Sequence, residues 1–201
     1  MGKLVFDGDY LAFVCAAAVE TRMIEVSHKE TGEKRLFKHR TKASEHIDLL
    51  DYDIQDIQQS EDKTHAFRLI KQLIKKAQDL TGAQEYDVIL GGQESWRVER
   101  STLLKYKGHR VGGLRPLLLQ DCRDYLINHH SAKVLDNNLE ADDYVVMLSY
   151  NNDNIVVGND KDYKGCNVRF LDMNHPEDGV INGKQLGDVF IRNKKLTGFG
   201  R

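Results

Sequence analysis

Short apolar runs that stop abruptly on acids or glycines alternate along this chain with stretches of helical periodicity, and that alternation most constrains its fold. Residues 3–6 (KLVF) halt at Asp7-Gly8-Asp9, and an alanine-rich apolar stretch follows over 10–19. This reads as a buried strand, a tight turn and a buried helix. Residues 23–37 place ETGEK between alternating segments and predict a hairpin. The charged, weakly periodic stretch 39–63 reads as a surface loop or mobile element, whereas 64–80 carries Ala66, Phe67, Ile70, Ile74 and Ala77 on one helical face. A strand over Tyr86–Leu90 ends at Gly91-Gly92, and a helix is predicted over 114–127 with Pro116 in its first turn. A short strand at 132–135 then precedes a helix over 140–149, with Asn138 as its cap. Residues 154–157 form a further strand that stops at Gly158-Asn159-Asp160. Weaker strands at 169–171 and 180–181 and a helix over 183–192 complete the reading. Repeated strand–helix alternation implies an α/β fold with a central, mostly parallel sheet flanked by helices.

At 201 residues the chain suits one domain with one substantial core, and neither a repeat nor a low-complexity tract divides it. No apolar run approaches the roughly 20 residues that span a bilayer. Asp7 and Asp9 interrupt any secretory signal core, so no membrane partner and a cytoplasmic setting are expected. Cys15, Cys122 and Cys166 form no CxxC and read as reduced, mostly buried thiols. A formal charge of -2 argues neither for nor against nucleic acid: a purely electrostatic binder is basic overall, whereas the acids of a metal-dependent nuclease offset a separate basic surface.

Ligands of open α/β sheets bind beyond the carboxyl ends of the strands. In this chain those ends are acidic. Asp7 and Asp9 follow the first strand, Asp160 and Asp162 follow the strand at 154–157, and Glu140, Asp142 and Asp143 open a helix. If the segments converge, seven carboxylates share a crevice and need cations to neutralise them. All-oxygen ligands suit Mg²⁺ or Mn²⁺, and two such ions roughly 3.5–4 Å apart can hydrolyse a phosphodiester. Histidines such as His109, His129 and His130 are scattered, with no HExxH. Each acidic piece also has an ordinary reading: a turn, a helix cap, a polar loop. A second constellation is basic: Arg97 and Arg100 precede Lys105-Tyr106-Lys107-Gly108-His109-Arg110. Such spacing can grip successive phosphates while Tyr106 stacks on a base, or it can be a solvated loop.

Taken in order, LVFDGDYLAF, YKGHR, LEADD and VVGNDKDYK resemble the 5′-3′ exonuclease and flap-endonuclease family, especially its phage members, from the N-terminus to about Lys164. The resemblance implies a PIN-like nuclease core that hydrolyses branched, nicked or 5′-ended DNA with two ions of Mg²⁺ or Mn²⁺. It implies Asp7, Glu140, Asp142, Asp143, Asp160 and Asp162 as metal ligands, with Asp7, Asp142 and Asp160 at the catalytic centre. Lys107 and Arg110 correspond to residues contacting the scissile phosphate, and Arg97, Lys105 and Tyr106 to further DNA contacts. There are two departures. Gly91-Gly92 stands where the family carries another aspartate, and Glu94 is not at the equivalent position. The family continues to a GDxxDN pair and a helix-turn-helix about where this sequence stops. The expectation is therefore a split enzyme: a second polypeptide supplies the missing acids and the DNA clamp, covering an apolar edge at 196–199. The alternatives are a partner-dependent or non-catalytic DNA-binding subunit, a haloacid-dehalogenase-like phosphatase using Asp7 as nucleophile and Asp9 as acid/base, and a small toxin-type ribonuclease.

Overall fold

The computed structural model describes residues 2–92, 114–136 and 139–183. Its centre is a six-stranded sheet ordered β6-β5-β1-β7-β8-β9. The strands are β1 (Leu4–Asp7), β5 (Tyr86–Leu90), β6 (Lys133–Val134), β7 (Ile155–Gly158), β8 (Arg169–Asp172) and β9 (Val180–Asn182). All pairings are parallel except β8 with β9. The expected α/β architecture with a mostly parallel sheet is what forms.

Strand pleating sends alternate residues to opposite faces, and both faces are covered. Leu4, Phe6, Val88, Leu90, Ile155 and Val157 pack under α1 (Gly8–Ala18), α3 (Lys63–Thr81) and α4 (Leu119–His130). Val5, Ile89, Val156 and Phe170 pack against Ala141 and Val145 of α5 (Ala141–Ser149), with Tyr163 beside them. Two-sided burial explains why these strands read as continuous apolar runs. The chain winds outward from β1 through β5 to β6, then returns to the other side of β1 at β7. The carboxyl ends of β1 and β7 thus flank the point where the winding reverses, which is where such sheets take ligands.

Between α1 and α3 lies an antiparallel sheet ordered β3-β2-β4, made of β2 (Glu20–His28), β3 (Lys34–Phe37) and β4 (Tyr52–Ser60). The hairpin predicted over 23–37 is its β2–β3 pair. The loop expected over 39–63 is corrected: it contains α2 (Arg40–Ser44), a 3-10 turn at Leu49–Asp51 and β4. Strand β4 pairs with β2 from Tyr52 to Ser60, with Ile54 opposite Val26, while Asp53, Gln55 and Asp56 face water. Backbone pairing orders this segment, and its polar outward face hid the strand period. The helix expected from 114 begins instead at Leu119. Pro116 precedes it, with its carbonyl accepting from the Leu119 amide at 3.1 Å, and the helix runs on to Ser131, whose φ of 50° ends it. The cap expected at Asn138 is corrected, because the helix starts at Ala141 with Glu140 as its N-cap; the helix over 183–192, apart from Gly183, and the apolar edge at 196–199 lie outside the described residues. Among the described residues no helix is long and apolar enough to cross a membrane.

Candidate metal centre

Asp7 is the last residue of β1 and the N-cap of α1, so the expected tight turn is a direct strand-to-helix junction. Its Oδ1 accepts from the Tyr10 amide at 3.1 Å and its Oδ2 from the Tyr163 hydroxyl at 3.2 Å. The residue is only 8% exposed. Its pKa is raised to about 7, mainly by burial and then by the charges of Asp9 and Asp142, against the pull of the Tyr10 amide and the Tyr163 hydroxyl.

Tyr163 ties this carboxylate to the loop beyond β7. That loop is a 3-10 turn over Lys161–Gly165, capped by Asp160, whose carboxylate accepts from the Asp162 amide at 2.9 Å. The turn swings the Tyr163 ring inward past Gly158, where a Cβ would sit 3.0 Å from the ring and 3.5 Å from the Asp7 Cβ. Burial pushes the phenol's ionisation far up, and the charges of Asp7, Asp142 and Asp160 push it further. Carboxylates from β1, α5 and the post-β7 loop therefore bear on one buried hydroxyl. Cys166 reports the other side of the cluster, because burial and then Asp162, Asp143 and Asp160 raise its thiol.

Glu140 is the N-cap of α5, and Asp142 and Asp143 lie in its first turn. One oxygen from each of the three falls within 4.8 Å of the others, and all three residues are half-buried. The helix N-terminus favours this negative charge. Asp142 also accepts from the Asp143 amide at 2.8 Å. These oxygens form a donor set suited to a hard divalent cation.

Of the six expected ligands, Glu140, Asp142 and Asp143 bring their oxygens within 4.8 Å of one another, while Asp7 ends β1, Asp160 follows β7 and Asp162 lies in the turn that Asp160 caps. Asp9 is held elsewhere: Arg123 ion-pairs with it and the Gly91 amide donates to it at 3.0 Å. Arg97, Lys105, Tyr106, Lys107 and Arg110 lie outside the described residues. Sequence reasoning passed over Tyr163, Arg123 and Asp172. Asp172 ends β8, is 7% exposed, accepts from the Asn174 amide at 2.9 Å, and its charge, after partial burial, helps raise the half-buried Tyr10 to about 12. The apolar-run-then-acid pattern of Phe6-Asp7 recurs at Leu171-Asp172 and was its available signal. Tyr163 and Arg123 had none, since nothing local distinguishes a core tyrosine or a helical arginine from any other.

Comparison with protein-family models, with curated proteins and with solved structures gave no match to this chain.

Proposed function

We propose that this chain is a metal-dependent nuclease core that cleaves DNA phosphodiester bonds at 5′ ends, nicks or flaps. The observation carrying this reading is the group of Glu140, Asp142 and Asp143 oxygens within 4.8 Å of one another, near the carboxyl ends of β1 and β7 that carry Asp7 and Asp160. An all-oxygen donor set at a winding reversal suits Mg²⁺ or Mn²⁺. Glu140, Asp142 and Asp143 would hold an ion, with Asp7, Asp160 and Asp162 completing that site or a second one. Ions bound there supply an activated water and neutralise the developing charge on phosphate. The chain's own residues prepare the site. Tyr163 donates one hydrogen bond to Asp7 Oδ2 and the Tyr10 amide one to Oδ1, leaving each oxygen further acceptor capacity. Burial keeps Asp7 poised near neutrality until a cation favours its charged form. Lys107 and Arg110 are assigned to the scissile phosphate, with Arg97, Lys105 and Tyr106 along the strand.

A second reading, a DNA-binding subunit with little catalysis of its own, draws on one observation. A Cβ at Gly91 would lie 2.7 Å from Asp9 Oδ2, so an acidic side chain there would have to displace the Asp9 carboxylate from the Gly91 amide. The phosphatase alternative fits less well, because Asp9, its acid/base, is engaged by Arg123 and Gly91.

The deciding experiment assays the purified chain on nicked and flapped DNA with Mg²⁺ or Mn²⁺, beside Asp160→Asn, which keeps the cap of the 3-10 turn. The reading expects ion-dependent cleavage that the variant lacks. DNA binding without cleavage supports the second reading. Absence of both cleavage and Mn²⁺ binding overturns the first.

A further inference from the structure

Asp9 sits two residues from Asp7 but serves a different structure. Arg123 of α4 ion-pairs with Asp9 Oδ1 through one guanidinium nitrogen and donates to the Gly91 carbonyl through another, at 2.9 Å. The Gly91 amide in turn donates to Asp9 Oδ2 at 3.0 Å. Both backbone polar groups of Gly91 are therefore gripped, one by each member of the ion pair. The next amide, of Gly92, donates to the Leu139 carbonyl at 3.4 Å, immediately before Glu140. A Cβ on Gly91 would also lie 3.3 Å from the Ala141 amide, the first residue of α5. The end of β5 is thus wedged between the pair and the residues that carry the Glu140–Asp142–Asp143 oxygens.

We infer that Asp9 and Arg123 form a positioning clamp that holds the start of α5 against the end of β5, setting the spacing at which Glu140, Asp142 and Asp143 take a divalent ion. This rests on the metal reading above. Asp9 then acts through backbone and does not itself ligate. Arginine suits the role, because its planar fork reaches two acceptors at once, which a lysine ammonium on a flexible stem does not reproduce.

The sign of one measurement separates positioning from simple electrostatics. Arg123 is a cation close to an acidic cluster, so losing its charge should strengthen Mn²⁺ binding if charge is all it contributes. A clamp predicts the opposite. Mn²⁺ affinity is read by electron paramagnetic resonance titration of the full chain, for wild type, Arg123→Gln and Arg123→Lys, with circular dichroism confirming the fold. The clamp expects both variants to bind roughly tenfold more weakly, the scale for losing groups that orient metal ligands. Unchanged or tighter binding in Arg123→Gln overturns it. If that variant fails to fold, Arg123→Lys decides: wild-type affinity with the charge kept and the fork lost overturns the clamp. A wild type that binds no Mn²⁺ overturns the metal reading and the clamp together, whereas a wild type matched by both variants overturns the clamp alone.

Discussion

Replacing Asp7 by Asn should stabilise the metal-free protein, by an amount that grows with pH. The folded carboxyl keeps its proton up to about pH 7, while its ordinary value is 3.8. Between those values the folded state binds more protons than the unfolded state, so stability falls as pH rises. Asp7's contribution is complete below pH 3.8 and is lost as pH rises through about 7. The shift of some three units, at 1.36 kcal/mol each, sets an upper figure of roughly 4 kcal/mol. Asparagine never takes the charge, yet it caps a helix about as well as aspartate and can still accept from the Tyr10 amide. Urea unfolding of both proteins in chelator from pH 4 to 8.5 tests this, with midpoint and slope recorded together. The curves should nearly meet at the acid end and separate by roughly 2–4 kcal/mol above pH 7, with the variant the more stable. Adding Mn²⁺ at a hundred times its dissociation constant should return about 2.7 kcal/mol to the wild type and much less to the variant. Parallel curves at every pH, or a variant less stable at pH 8, would refute the argument that burial dominates at Asp7.

Two further perturbations probe other parts of the molecule. Gly8→Ala places a Cβ 2.6 Å from the Ile89 carbonyl and 2.9 Å from the Val88 and Leu90 side chains, so α1 must shift off β5. A destabilisation of about 1–3 kcal/mol is expected by urea titration, and a neutral result would mean that this junction yields easily. Lys107→Ala with Arg110→Ala should weaken DNA binding and reduce the slope of log affinity against log salt by about 1.8 for duplex DNA, read by fluorescence anisotropy; an unchanged slope removes both residues from the phosphate contacts.

How far the sequence discloses this molecule depends on what each segment buries. Strands β1, β5 and β7 are covered on both faces, so residues 4–6, 88–90 and 155–157 form unbroken apolar runs that can be read directly. Helix α3 buries one face, through Ala66, Ile70, Ile74 and Ala77, and its period is equally plain. Strand β4 escaped because its order comes from backbone hydrogen bonds to β2, which leave no mark on side-chain hydropathy. Helix α4 was misplaced because Leu114 and Leu117 are exposed, so the apolar period seemed to start a turn early.

The candidate site divides along the same physical line. Carboxylates at strand ends and helix starts are legible because the backbone that places them is local: Asp7 caps the helix it precedes, Asp160 caps its own turn, and Glu140 opens α5. What holds these segments together is long-range and therefore silent in sequence. The Tyr163–Asp7 hydrogen bond spans 156 residues and the Arg123–Asp9 pair 114. Glycine is where the two scales meet. Gly91-Gly92 reads locally as a missing acid, but in space Gly91 is small enough for Asp9 to approach within hydrogen-bonding distance of its amide. Gly158 likewise leaves room for the Tyr163 ring to reach Asp7. A larger residue would press on the Asp9 carboxylate at Gly91 and on the Tyr163 ring at Gly158. The surroundings of the acidic residues thus depend in part on glycines that carry no charge and offer no ligand.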